Sequence, residues 1–186
     1  MPLPKNDIDR ELLHVRNIQC KGYKRSDGLW EIDGWLTDIK TYEFNNKDRN
    51  KIKAGEPLHG MGLRVTINDS MIIKECIAVT DFSPFNLCNK ITPSFRKLVG
   101  VKITHGFSSK VNELLGGVNG CTHLVELLKP IATTAFQTLF GQRSKKIREG
   151  IKAGSIKKIP IINSCHAWSA DGEIVKRELD DTLKHP

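Results

Sequence analysis

Between Met61 and Val79 the chain reads MGLRVTINDSMIIKECIAV. Met61, Leu63, Val65 and Ile67 recur at period two, with Arg64 and Thr66 between them. Successive strand side chains point to opposite faces, so this alternation predicts a half-buried strand. Asn68-Asp69-Ser70 is a turn, and Met71 to Val79 returns as the partner strand of a hairpin. What flanks the hairpin sets the class: strands before it, helices after it, and no alternation of strand with helix. That order predicts an α+β fold, an antiparallel sheet of hairpins packed by a few helices.

Working upstream, residues 1–10 read as a loose arm. His14 to Arg25 reads as a strand, Ser26-Asp27-Gly28 as a turn, and Leu29 to Phe44 as the returning strand. The alternation slips at Gly34-Trp35: Trp30 and Ile32 share one face, whereas Trp35, Thr37 and Ile39 have the opposite parity. A slip at a glycine predicts a β-bulge. The polar segment Asn45 to Pro57 reads as an exposed loop.

Downstream, Asp81 to Lys90 reads as a loop carrying Cys88. A short helix follows, capped by Thr92, carrying Pro93, Phe95, Leu98 and Val99, and closed by Gly100. Ser109 to Leu115 reads as another. Gly120 opens the long helix, where Leu124, Leu127, Leu128, Ile131, Ala135 and Leu139 fall at helical spacing. Pro130 is expected to kink or divide it, and Gly141 to end it. A basic linker (142–158) then leads to a last hairpin (159–186) built from Ile159 to Ser164 and Glu173 to Leu179. The reading is one domain over 1–186, with an N-terminal hairpin at 11–44 and a core at 57–141.

The chain has 186 residues and a formal charge of +8. No apolar run approaches the length of a membrane span, and the N-terminus lacks the apolar stretch of a secretory signal. The five cysteines are an odd, scattered set without a CxxC pair, which fits reduced thiols in the cytoplasm. Much of the excess charge sits in Lys145, Lys146, Arg148, Lys152, Lys157 and Lys158. Such a stretch suits nucleic acid, an acidic protein partner or an anionic cofactor, or else a solvated linker. Without interleaved aromatic residues it offers no stacking platform for nucleic acid. There is no GxGxxG, Walker A, GxSxG or HExxH pattern, so dinucleotide, P-loop, serine-hydrolase and zincin chemistry have no support.

Two kinds of residue can do chemistry here. Gly120-Cys121-Thr122-His123 places a thiol at a helix N-terminus, where unpaired N–H groups favour the thiolate, with an imidazole two residues on. Cys121 and His123 are therefore the candidate catalytic pair. Cys88 lies in a loop, and His59 sits beside Gly60 at the start of the clearest strand. Trp30, Trp35 and Phe107 are the expected lining of a substrate pocket. Cys165 and His166 are adjacent in an expected strand, so only one of them can face a given site. Cys20 and Cys76 read as packing residues. Asp27, Asp33 and Asp38 read as turn caps and surface charges. His14, His105 and His185 have no functional setting.

The segments DGLWEIDGWLTD, LVGVKITHGF, GCTHLVELLKPIATTAFQT and CHAW resemble the signature segments of a bacterial family known only as a domain of unknown function, from about His14 to His166. More distantly, Met61 to Phe140 resembles the sulfur-transfer and iron–sulfur scaffold fold of the NifU and SufE type, with added N- and C-terminal strands. That fold has a hairpin, a loop cysteine, a short helix ending in glycine, and a final helix starting with cysteine. Here Cys88 and Cys121 stand in for the two cysteines, and His59 falls close to the aspartate of a Cys-Gly-Asp segment. The resemblance implies a metal or sulfur site made of His59, Cys88, Cys121 and His123, holding zinc, iron or an iron–sulfur cluster. It lacks the third cysteine expected for cluster assembly. An alternative is a small lyase or hydrolase acting on a small molecule through a Cys/His or metal-activated site. A third is a non-catalytic interaction module using the basic stretch. Substrate and oligomeric state, a homo-oligomer included, stay open.

Overall fold

The computed structural model describes residues 3–155, 159 and 161–184. The fold is α+β, and the chain divides into two compact units, Met1–Thr138 and Leu139–Pro186. In the first unit, strands β1 (His14–Lys24), β2 (Trp30–Lys40), β5 (Pro57–Ile67) and β6 (Ile73–Phe82) form an antiparallel sheet in the order β1-β2-β5-β6. A small hairpin, β3 (Phe44–Asn46) and β4 (Asn50–Ile52), forms a separate two-stranded sheet. The segment 45–57 is therefore not a plain loop. Ile52, the one strongly apolar residue among its charges, is fully buried and anchors the excursion.

The inner face of the sheet is written by parity. Trp30, Ile32, Gly34, Leu36 and Asp38 alternate as buried positions along β2. Opposite them on β5 stand Ile67, Val65, Leu63, Met61 and His59, each in direct cross-strand register. No bulge occurs at Gly34; pairing shifts only between Asp38 and Ile39. The glycine has another purpose. A β-carbon there would lie 2.7 Å from the Ile131 side chain and 3.2 Å from Leu127, both on the helix laid across the sheet. Gly34 is small because a helix approaches, not because the strand slips. Trp35 consequently points to the opposite face from Trp30, where it covers Gly62.

After β6 a 3-10 helix runs from Cys88 to Leu98 and buries Phe95 and Leu98. Val99 is half exposed, and Gly100 has a positive φ of 88° as the chain turns. Helix α1 (Phe107–Leu115) buries Phe107, Val111 and Leu115. Helix α2 (Thr122–Thr138) buries Leu124, Leu127, Leu128, Ile131 and Ala135 on one face and packs on β2, β1 and β5. Pro130 lies inside α2 without dividing it. A side chain at Gly22 on β1 would overlap Thr138, so glycines on two strands make room for the same helix.

In the second unit, α3 (Phe140–Lys152) includes Gly141 and most of the described basic stretch, which is helix rather than linker. Its Gln, Arg, Lys and Glu residues are good helix formers. Lys157 and Lys158 lie outside the described residues, as does His185. Ile161–Asn163 is a turn, His166–Trp168 a 3-10 turn, and α4 (Glu173–Lys184) a helix. The expected last hairpin is absent among the described residues. Val175, Leu179 and Leu183 are spaced by four in the sequence, a helical interval. Among the described residues, no helix is long and apolar enough to cross a membrane.

Candidate functional site

The polar centre lies at one end of the inner face, where β2 and β5 bring Asp38 and His59 opposite each other. Asp38 is fully buried, at a position where the alternation would otherwise place an apolar residue. An unpaired carboxylate there would be very costly, and its oxygens are accordingly surrounded. Oδ1 accepts from Arg16 Nε at 2.7 Å and meets His14 Nε2 at 2.9 Å. Oδ2 accepts from Arg16 Nη2 at 2.9 Å, meets His59 Nδ1 at 3.0 Å, and lies 3.7 Å from His123 Nε2. Arg16 faces Asp38 across the β1–β2 ladder. Its remaining amino group reaches Glu126 on α2 at 2.7 Å, tying the sheet to the helix.

Helix α2 supplies the other side. Cys121 stands just before its first residue, and its carbonyl accepts the Val125 N–H at 2.8 Å. A β-carbon at Gly120 would overlap the Leu115 carbonyl, so the chain turns closely past the end of α1 to reach that point. The Cys121 thiol contacts Met61 Sδ at 3.8 Å and lies 3.9 Å from His123 Nδ1. The rings of His59 and His123 lie 3.8 Å apart, centre to centre, inclined by 32°. The side chain of His123 is 27% exposed, that of His59 11%, so the centre is reached from solvent over His123.

The electrostatics follow from burial. Burial alone would raise the Asp38 pKa, but the hydrogen bonds from Arg16 and His14, with the Arg16 charge, outweigh it and hold the carboxyl at about 2. His59 is pushed below its ordinary value by burial and by the neighbouring His123, against the pull of Asp38. His123 is lowered chiefly by burial. The result is an ionised carboxylate beside two imidazoles biased to the neutral form, the form that accepts a proton or binds a metal.

The structure brings His59 and Cys121 each against His123. Among the described residues, the ligand atoms of Asp38, His59 and His123 lie within 4.8 Å of one another. Neither Cys88 nor Cys121 belongs to that group; Cys88 begins the 3-10 helix, half-buried. The three expected pocket residues also part company. Trp30 is on the inner face, hydrogen-bonded to Asp69 at 3.0 Å, and eight strand residues, about 26 Å, separate it from Asp38. Trp35 lines an open groove of about 400 Å³ on the outer face with Tyr23, Ile77 and Val79. Phe107 borders another of about 380 Å³, with His105 and Lys129. Neither groove is lined by the Asp38 centre. Cys165 is exposed in a turn, and Cys76 is buried, its thiol pushed up to about 12 by burial. Cys20 is also raised by burial.

Asp38, His14 and Arg16 are the residues that sequence reasoning missed. Reading a bulge at Gly34 reversed the parity of everything after it and turned Asp38 outward as a surface charge. Unbroken alternation from Trp30 would have put a carboxylate at a core position, and the β1 turn geometry would have set Arg16 against it.

The molecule is thus an α+β protein with an Asp/His/His/Cys centre where a helix N-terminus meets two strands. The family model described as "Protein of unknown function (DUF2889)" matches residues 14–137, two-thirds of the chain, and the chain belongs to that family. No curated protein and no solved structure matches it.

Proposed function

We propose that Asp38, His59 and His123 form a transition-metal centre, with the Cys121 thiol beside His123. The observation that carries this reading is the gathering of the Asp38, His59 and His123 ligand atoms within 4.8 Å, from two strands and a helix. Arg16 and His14 hold the Asp38 carboxylate in place and ionised beside the two imidazoles. Two imidazoles and a carboxylate are a donor set suited to zinc or iron, and three protein donors leave a coordination position for a small ligand. Metal analysis of freshly purified protein, followed by titration of stripped protein, tests this. The expectation is one equivalent bound by the wild type and a loss of binding in His123→Ala and His59→Ala. A stripped protein that takes up no zinc, iron or other transition metal sinks the proposal.

A specific alignment favours a second reading. The Cys121 thiol, the His123 ring and the Asp38 carboxylate stand in sequence, with steps of 3.9 and 3.7 Å. A thiol, a base and an orienting acid make an activated nucleophile, and such contacts tighten on substrate binding. This reading describes a metal-independent lyase or hydrolase for a small molecule. It predicts that iodoacetamide blocks turnover by modifying Cys121, whereas chelators leave turnover unchanged.

A further inference from the structure

Helix α2 packs on the inner face of the sheet, whereas the outer face carries large apolar side chains open to solvent. Tyr23, Ile77, Val79 and Phe82 are each between 42% and 44% exposed. Trp35 and Phe82 lie over the bare backbone of β5 at Gly62 and Gly60, so the apolar surface runs from β1 to β6. The open groove of about 400 Å³ lies among Tyr23, Trp35, Ile77 and Val79. A contiguous exposed face of this kind marks an interaction surface.

The charges on the same face say what covers it. β1 carries Lys21, β2 carries Glu31 and Asp33, β5 carries Arg64, and β6 carries Glu75, placed by the register of the ladders. Arg64 donates to both oxygens of Asp33, at 2.7 and 2.8 Å. From β1 to β6 the signs run positive, negative, positive, negative, so they invert about the line between β2 and β5. A two-fold axis along that line reverses the strand order and preserves position along the strands. It lays β1 over the partner's β6 and β2 over the partner's β5, each strand over one of opposite sign. Asp33 then faces the partner's Arg64, with the two Trp35 rings beside the axis. An axis running across the strands would instead set each strand over its own copy, and like charges opposed in an interface are costly.

The size also fits. Four strands of 10 or 11 residues make a face of about 19 by 36 Å at the usual strand spacing and rise. That is about 700 Å² on each copy and about 1,400 Å² for a pair, within the range of stable interfaces. Aromatic residues and an arginine at the middle are the composition such interfaces favour. We infer that the outer face of the sheet is the interface of a homodimer, two copies packing sheet against sheet about an axis parallel to the strands. The inference is independent of the metal centre, which lies on the inner face.

Sedimentation velocity of the full chain over a concentration series tests this, on the wild type and Val79→Glu. The wild type should sediment at twice the mass of the chain. Val79 is solvent-exposed in the single chain, so the variant should fold, with an unchanged circular dichroism spectrum, and its dimerisation should weaken at least about tenfold through the unpaired charge buried on association. A second measurement needs no variant. Hydroxyl-radical footprinting of the wild type should show oxidation of Tyr23 and Trp35 falling as concentration rises through the dimerisation range. A wild type that stays monomeric up to millimolar concentration overturns the inference and leaves the face to a different partner. A dimer that Val79→Glu leaves intact, or one in which Tyr23 and Trp35 stay as reactive as in the monomer, is built on another surface and overturns it equally.

Discussion

Replacing Asp38 by asparagine keeps the shape of a fully buried side chain and removes its charge. In the native centre that charge receives two hydrogen bonds from Arg16 and contacts from His14 and His59. Breaking a buried ion pair by removing one partner costs about 3–5 kcal/mol when the other charge is stranded. Arg16 is not stranded: it keeps Glu126 and its side chain is 35% exposed. The expected loss is therefore smaller, about 2–3 kcal/mol at neutral pH, or a fall in melting temperature of about 6–10 °C for a unit of this size. Acid titration gives an independent value. The folded carboxyl titrates at about 2, against an ordinary 3.8, so the unfolded chain takes up the proton first as pH falls. The stabilisation is thus complete above about pH 3.8 and lost on the way down to pH 2, and it amounts to about 2.4 kcal/mol. Urea denaturation of wild type and Asp38→Asn across pH 2–7 should show two curves that converge as acid protonates Asp38. A variant as stable as the wild type at pH 7, or a gap unchanged between pH 5 and pH 2, would refute the argument that this carboxylate is held by charge.

The neighbouring groups make further outcomes testable. His59 and His123 titrate below their ordinary value of 6.5, so the unfolded chain protonates them first. Urea midpoints of the wild type should therefore hold steady above about pH 6.5 and decline as pH drops below it; a midpoint rising on acidification contradicts the buried neutral imidazoles. Gly34→Val drives a side chain into Ile131 and Leu127 and should cost about 1–3 kcal/mol by overpacking, read from the denaturation midpoint. In timed labelling with iodoacetamide and mass spectrometry, exposed Cys165 should react early and Cys76, buried with its thiol near 12, last. Early reaction of Cys76 in the folded protein would show that β6 opens. Arg16→Met should weaken the link between β1 and α2, and its cost should fall well short of additive with that of Asp38→Asn, because the two side chains share hydrogen bonds.

Much of the sheet was legible because alternation is a strong signal when one face is buried. Met61 to Ile67 declared itself, as did the turns at Asp27-Gly28 and Asn68-Asp69. The spacing of Leu124, Leu127, Leu128 and Ile131 likewise announced α2. Half of the centre was readable from chemistry: a thiol and imidazole at a helix start, and a histidine beside a glycine. The other half was hidden because local pattern does not say why a glycine is present. At Gly34 the same residue type serves a bulge or a close helix, and only tertiary packing distinguishes them. Choosing the bulge concealed Asp38, and with it Arg16 and His14. The C-terminal segment failed for a different reason. Short apolar runs such as Ile174-Val175 suit either period, and only the wider spacing of Val175, Leu179 and Leu183 favours helix over strand.

Seating α2 on bare backbone at Gly22 and Gly34 has a mechanical corollary. Cys121 and His123 ride on the same rod, whereas Asp38, Met61 and His59 belong to the platform beneath it. Sliding that rod by one turn, about 5.4 Å, would carry thiol and imidazole off together and leave the anchoring carboxylate behind. A bulky residue wedged at Gly34, four positions down the strand from Asp38, should therefore loosen the chemistry at the far end without touching any group that performs it.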